Sequence, residues 1–216
     1  MKKTKIALTL VCAVLLVAAS VMGTLAYLTA TTGTVTNTFS VGNVSFDTVN
    51  NGLDEADVDV YGVKETVSDG EGGTKDAPRV TANTYKLIPG HSYTKDPTVH
   101  IGADSEDAWL FVKVENGISE IEATGTTTIA AQMTAKGWTL VTGTTNVYAY
   151  KETVSAGDDI VVFESFKLAT DADVEGYENA EITIQAGIVQ AEGFTTAAAA
   201  WTANSTLFPA PVDPVE

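Results

Sequence analysis

His91 and His100 are the only imidazoles in this 216-residue chain. Joined by a carboxylate such as Asp96 or Asp104, they are the one histidine-containing set that could hold a catalytic zinc ion. No His-Glu-x-x-His is present, and Pro97 stands between the two histidines, so they do not share a helical face. Only the fold could bring them together; two surface imidazoles near turns is the plainer reading. Cys12 is the sole cysteine, and no Gly-x-Ser-x-Gly elbow occurs. Gly70-Glu71-Gly72-Gly73 is a poor phosphate cradle, because it carries an acidic residue and no helix follows. Asp54-Glu55-Ala56-Asp57-Val58-Asp59 and Asp171-Ala172-Asp173-Val174-Glu175 offer hard oxygen ligands for calcium, but neither has EF-hand spacing, and they read as solvated acidic loops. Trp109, Trp138, Trp201, Tyr148 and Tyr150 could form a glycan platform, or fill the core and its rim. The expectation is therefore no enzyme, no cofactor and no metal.

Charge narrows the partners. The chain has 12 basic and 28 acidic residues. Lys2, Lys3 and Lys5 head an uncharged apolar run, Ile6 to Met22, and Thr24-Leu25-Ala26 supplies small residues at the −3 and −1 positions of a signal peptidase cut. Cleavage between Ala26 and Tyr27 is expected, with residues 1–26 as signal peptide. It would leave a charge of about −19 and no cysteine. Such a balance excludes nucleic acid as a partner, since phosphate binding needs clustered Lys and Arg. It also opposes close packing of copies, so acid or salt should favour self-association.

The elements that must position these residues are mostly strands. Residues 27–46 carry no charge; Val35, Phe39 and Val41 alternate with Thr34, Thr36, Thr38 and Ser40, a strand pattern whose phase flips at Gly42-Asn43 before Val44 and Phe46. Further strand-like runs are Asp57 to Val67, Tyr85 to Ile88, Thr98 to Ile101, Ala108 to Val114, Val147 to Lys151, Ile160 to Leu168 and Glu181 to Gln190. Ala108 to Val114 is nearly continuously apolar, which implies burial on both faces. Asp69 to Pro78 reads as a loop. Thr128 to Lys136 and Thr196 to Ala203 are short helices with threonine caps. The expected fold is all-β: a jelly-roll-like antiparallel β-sandwich with one or two short helices. Its parts would be an N-terminal strand segment at 27–43, a sandwich at 44–208 and a tail at 209–216.

Gly23-Thr24-Leu25-Ala26-Tyr27-Leu28-Thr29 followed by Val35 to Val44 resembles the N-terminal signature of the TasA/camelysin family, substrates of the SipW-type signal peptidase of Gram-positive bacteria. Lys95-Asp96-Pro97-Thr98-Val99, Ser105 to Val114, Gly137-Trp138, Tyr148-Ala149-Tyr150 and Gln190 to Trp201 are similar to body segments of that family; the insertion at Asp69 to Pro78 departs from it. The resemblance implies a secreted jelly-roll subunit of a biofilm-matrix fibre. Its freed N-terminal strand, Tyr27 to about Val41, would insert into the sheet of the next copy, with Val35, Phe39 and Val41 as pocket contacts. Partners would be further copies of the chain head to tail, the SipW-type peptidase and an accessory matrix protein. Alternatives are the strand folding back on its own sandwich, a mobile tail, a glycan-binding adhesin module, or the metalloprotease activity described for camelysins.

Overall fold

The computed structural model describes residues 43–208. The signal peptide, the cleavage site Ala26–Tyr27, the strand residues Val35, Phe39 and Val41, and the tail at 209–216 lie outside them. The described part is all-β and antiparallel, with eleven strands and two short α-helices.

The main sheet has four strands: β6 (Ala108–Asn116), β7 (Trp138–Leu140), β8 (Val147–Val154) and β11 (Ile182–Gln190), in the order β11-β6-β8-β7. β6 is the central member and is buried on both faces, as its apolar run requires. Leu110, Val112 and Val114 enter the main core. Phe111 points to the other side, packing on Ala200 and, at 5.5 Å between ring centroids, on Trp201. Each such side chain removed from water is worth about 1.5–3 kcal/mol. β11 matches β6 over its whole length, from Ile182 opposite Asn116 to Gln190 opposite Ala108. Its Ile182, Ile184, Ala186 and Ile188 share the core face.

Facing this sheet is a long ladder. β4 (Ser92–Thr94) pairs with β10 (Ser165–Lys167), and β5 (Thr98–His100) pairs with β9 (Asp159–Val161) and with β1 (Leu53–Asp54). The two halves continue one another through Lys95 N–H to Glu164 O and Val162 N–H to Pro97 O. The ladder breaks at Asp96-Pro97 because proline has no N–H to give. Tyr93, Val99, Val162, Phe166 and Leu168 press from this layer into the same core as Leu110 and Val112. Trp138 bridges the layers, fully buried, with its Nε1 donating to Val161 O at 3.3 Å.

Residues 43–47 run against the edge of β5 and the turn after it. Phe46 bridges Ile101, Asn43 O accepts from Glu106 N, Ser45 O accepts from Gly102 N, and Asp47 N donates to His100 O. Both helices form where their caps stand. α1 (Ile129–Ala135) starts at Thr128, which accepts from Ala131 N, and buries Ile129 and Met133. α2 (Ala197–Ala203) starts at Thr196, which accepts from Ala199 N, and buries Ala200.

Three expectations are corrected. The valine alternation of Asp57 to Val67 does not make one strand: Asp59 Oδ1 accepts from the N–H groups of Tyr61 and Val63 and closes a turn, leaving Val60 and Val63 exposed, and only Thr66 and Val67 at its end enter a strand. Tyr85 to Ile88 has no partner strand among the described residues; the Tyr93 hydroxyl binds its backbone, accepting from Ile88 N and donating to Lys86 O. Asp69 to Pro78 is not all loop, because β2 (Thr66–Ser68) and β3 (Thr74–Asp76) form a hairpin whose turn is tied by Asp69 Oδ1 to Glu71 N and Gly73 N.

Gly62 shows how tightly the Asp59 turn is seated. It has φ +77°, and a Cβ there would lie 2.7 Å from Tyr93 Cα and 2.9 Å from Thr94 N. Gly62→Ala should lower stability by about 2–3 kcal/mol, read from the urea midpoint, since both the backbone conformation and the approach exclude a side chain.

Candidate functional site

A cleft of about 1540 Å³ opens beside β11. Ile182, Ile184 and Ala186 of β11 line it, as do the segment 81–87, which forms no strand among the described residues, and Phe46, Leu53 and Phe166. Among the described residues β11 pairs only with β6, so its outer edge faces the cleft with its backbone groups unshared. An extended edge above an apolar wall is the standard receptor for another strand. The volume exceeds the roughly 300–1,000 Å³ of ordinary small-molecule pockets, which favours a stretch of polypeptide.

Asp54, Glu55, Asn83 and Lys95 give the cleft its polar wall, and behind Asp54 lies Arg79, the only arginine in the chain. Its guanidinium reaches Asp54 Oδ1 through Nε at 2.5 Å, Asp96 Oδ2 through Nη1 at 3.3 Å, and Thr98 Oγ1 and Asp96 O through Nη2, both at 2.9 Å. It thus fastens β1 to the broken point of the ladder. Asp96 also accepts from Ala56 N at 2.7 Å. Asp54 is buried, which raises its pKa, but hydrogen bonds from Arg79, His100 and Asn50 outweigh that and hold the carboxyl below its usual range. The protonated His100 ring donates through Nε2 to Asp54 Oδ1 (2.9 Å) and through Nδ1 to Asp159 Oδ1 (2.6 Å). Burial lowers its pKa, and the two carboxylates together raise it above the ordinary imidazole value.

The fold keeps the zinc candidates apart. His91 and His100 sit at opposite ends of one extended ladder, on the order of 25–30 Å apart at about 3.3 Å per residue. His91 Nε2 meets Tyr61 O at 2.9 Å, its ring edge-on to Tyr93. Asp96 is committed to Arg79. Among the described residues no group of three His, Cys, Asp or Glu side chains is arranged to hold a metal ion. The acidic run at 54–59 is divided: Asp54 and Glu55 are buried in ion pairs, and Asp59 ties a turn. In the run at 171–175, Asp173 accepts from Glu175 N and makes a local turn.

The aromatic residues do not form one platform. Trp138, Tyr148 and Tyr150 belong to the main core, with Tyr148 and Tyr150 on one face as their alternation required. Trp109 of β6 and Trp201 of α2 pack on the other side of the sheet.

Sequence reasoning missed Arg79 and Asn83, and it read Glu55 only as part of a solvated acidic loop, whereas Glu55 is buried. The solitary arginine in a strongly acidic chain was the available signal for the first. No family model, curated protein or solved structure matches this chain.

Proposed function

We infer that the protein is a secreted structural subunit, not an enzyme, that polymerises head to tail. Residues 27–41 of one copy add as a strand to the free edge of β11 in the next. The observation that carries this is the pairing of a cleft with a sheet edge that is unshared among the described residues, in a chain whose residues 27–46 are uncharged and alternate apolar with polar. A seated strand would share its backbone hydrogen bonds with β11 and cover Ile182, Ile184 and Ala186; Val35, Phe39 and Val41 are the side chains offered. The contact joins two different surfaces, so it propagates and does not close. A jelly-roll arrangement completed by the incoming strand, release by a SipW-type peptidase at Ala26–Tyr27 and an accessory matrix protein are parts of this reading, supported by the resemblance at residues 23–44.

The test compares the chain starting at Tyr27 with one starting at Asn43, by negative-stain electron microscopy after acidification. Filaments from the first alone are expected. Filaments from both would move the joint elsewhere. Stable monomers from the longer chain, with residues 27–42 protected from protease, would mean that the segment fills its own cleft.

A further inference from the structure

The polar wall of the cleft holds three side chains that strand addition does not use. Glu55, just after β1, is 3% exposed, and Lys95, between β4 and β5, is 8% exposed. Lys95 Nζ donates to Glu55 Oε2 at 2.5 Å. Asn83 Nδ2 donates to the other oxygen, Oε1, at 2.8 Å. One carboxylate therefore holds a primary amine and a primary carboxamide at once, from three separate parts of the chain.

The surroundings fix both groups. Asn83 Nδ2 also donates to Ala56 O at 2.9 Å, and its Oδ1 accepts from Val58 N at 3.1 Å. The Tyr85 ring lies 5.9 Å from Lys95 Nζ and makes edge contacts with Tyr93 and Phe166. A buried ion pair alone adds little to stability, because desolvation offsets the attraction. A nearly buried amine and proton carrier beside a half-buried carboxamide are, however, the parts of an amide exchange.

The geometry points to a self-formed amide cross-link between Lys95 Nζ and Asn83 Cγ, with Glu55 as the proton carrier. Glu55 takes a proton from the Lys95 ammonium, leaving a neutral amine beside a neutral acid. The Nζ lone pair forms a bond to Cγ, and the carbonyl electron pair moves onto Oδ1, where the Val58 N–H stabilises the charge. Glu55 gives its proton to Nδ2 and takes one from Nζ. The carbonyl reforms, the Cγ–Nδ2 bond breaks and ammonia leaves. An amine and a carboxamide become a secondary amide and ammonia, so no oxidant, reductant or metal is needed. The bond ties segment 81–87 to the broken ladder and so fixes a part of the cleft lining outside β11.

Mass spectrometry of the purified, denatured full chain tests this independently of filament formation. The expected result is a mass lower than the sequence mass by one ammonia, about 17 Da. Trypsin should then yield peptide 80–86 covalently joined to peptide 87–113, uncut after Lys95. Glu55→Gln and Lys95→Arg should both restore the full mass and release 80–86 as a free peptide. Lys95→Arg keeps a cation beside Glu55, so its fold is retained if Glu55→Gln proves unstable. An unmodified mass in the folded wild-type chain overturns the proposal. So does ammonia loss with normal cleavage after Lys95, which would mark a succinimide at asparagine.

Discussion

Replacing Arg79 with alanine should cost about 2–4 kcal/mol of folding stability, because it takes the guanidinium from buried Asp54, which then keeps only His100 and Asn50, and from the carboxylate and carbonyl of Asp96. One-third exposure of the arginine side chain places the loss in the lower part of the range for broken buried pairs. For a domain of this size it corresponds to a fall in melting temperature of roughly 4–16 °C, read by calorimetry or circular dichroism. The pH dependence follows from the same cluster. Asp54 has a depressed pKa, so its contribution is present above its unfolded value near 3.8 and is lost as pH falls through the folded value. His100 has a raised pKa, so its contribution is complete below its unfolded value near 6.5 and is lost as pH rises through the folded value. Both are present together between about pH 4 and pH 6.5, and the melting temperature of the wild type should be highest there. Arg79→Ala should flatten the acid side of that profile, and His100→Gln the alkaline side. An Arg79→Ala protein as stable as wild type from pH 4 to 8 would show that the cluster does not fasten β1 to the ladder.

Ile184→Glu should abolish filaments while leaving the subunit folded. Ile184 stands opposite Val114 on β11, half-buried, with its side chain on the cleft wall. In the free subunit a carboxylate there still reaches water. Beneath a seated strand it would be desolvated without a partner, at several kcal/mol, which is a loss of at least about 100-fold in affinity for each joint. Leu140→Glu is the matched control. Leu140 is 46% exposed on β7, at the opposite edge of the same sheet, and filaments should persist. Sedimentation after acidification, with circular dichroism as the check on folding, reads both. Wild-type filament yield from Ile184→Glu would remove the cleft from the assembly mechanism.

What the sequence disclosed divides by the range of the interactions. β6 was legible because an uninterrupted apolar run has one simple explanation, burial on both faces. β11 was legible because Ile182, Ile184, Ala186 and Ile188 repeat with the period of a strand. The helices were marked by Thr128 and Thr196, whose hydroxyls act within three residues. Asp57 to Val67 misled for a related reason: its valines alternate, but Asp59 competes for the backbone N–H groups and wins at short range. The Arg79 cluster, the cleft and the Glu55–Asn83–Lys95 trio were illegible because each joins segments far apart in the chain. No local spacing encodes which amide will meet which amine across a fold.

The attachment of residues 43–47 bears on how the subunit would respond to being pulled. This stretch lies antiparallel to β5 and the turn that follows, fastened by Asn43 O to Glu106 N, Ser45 O to Gly102 N, and Asp47 N to His100 O. Tension drawn along the chain at Asn43 would act along the direction of the strand and across these bonds together. They would share the load in shear and would have to fail at nearly the same moment, whereas a perpendicular pull would open them one by one. The exit from the domain is thus a lap joint, strong along the chain and weak when peeled away from it.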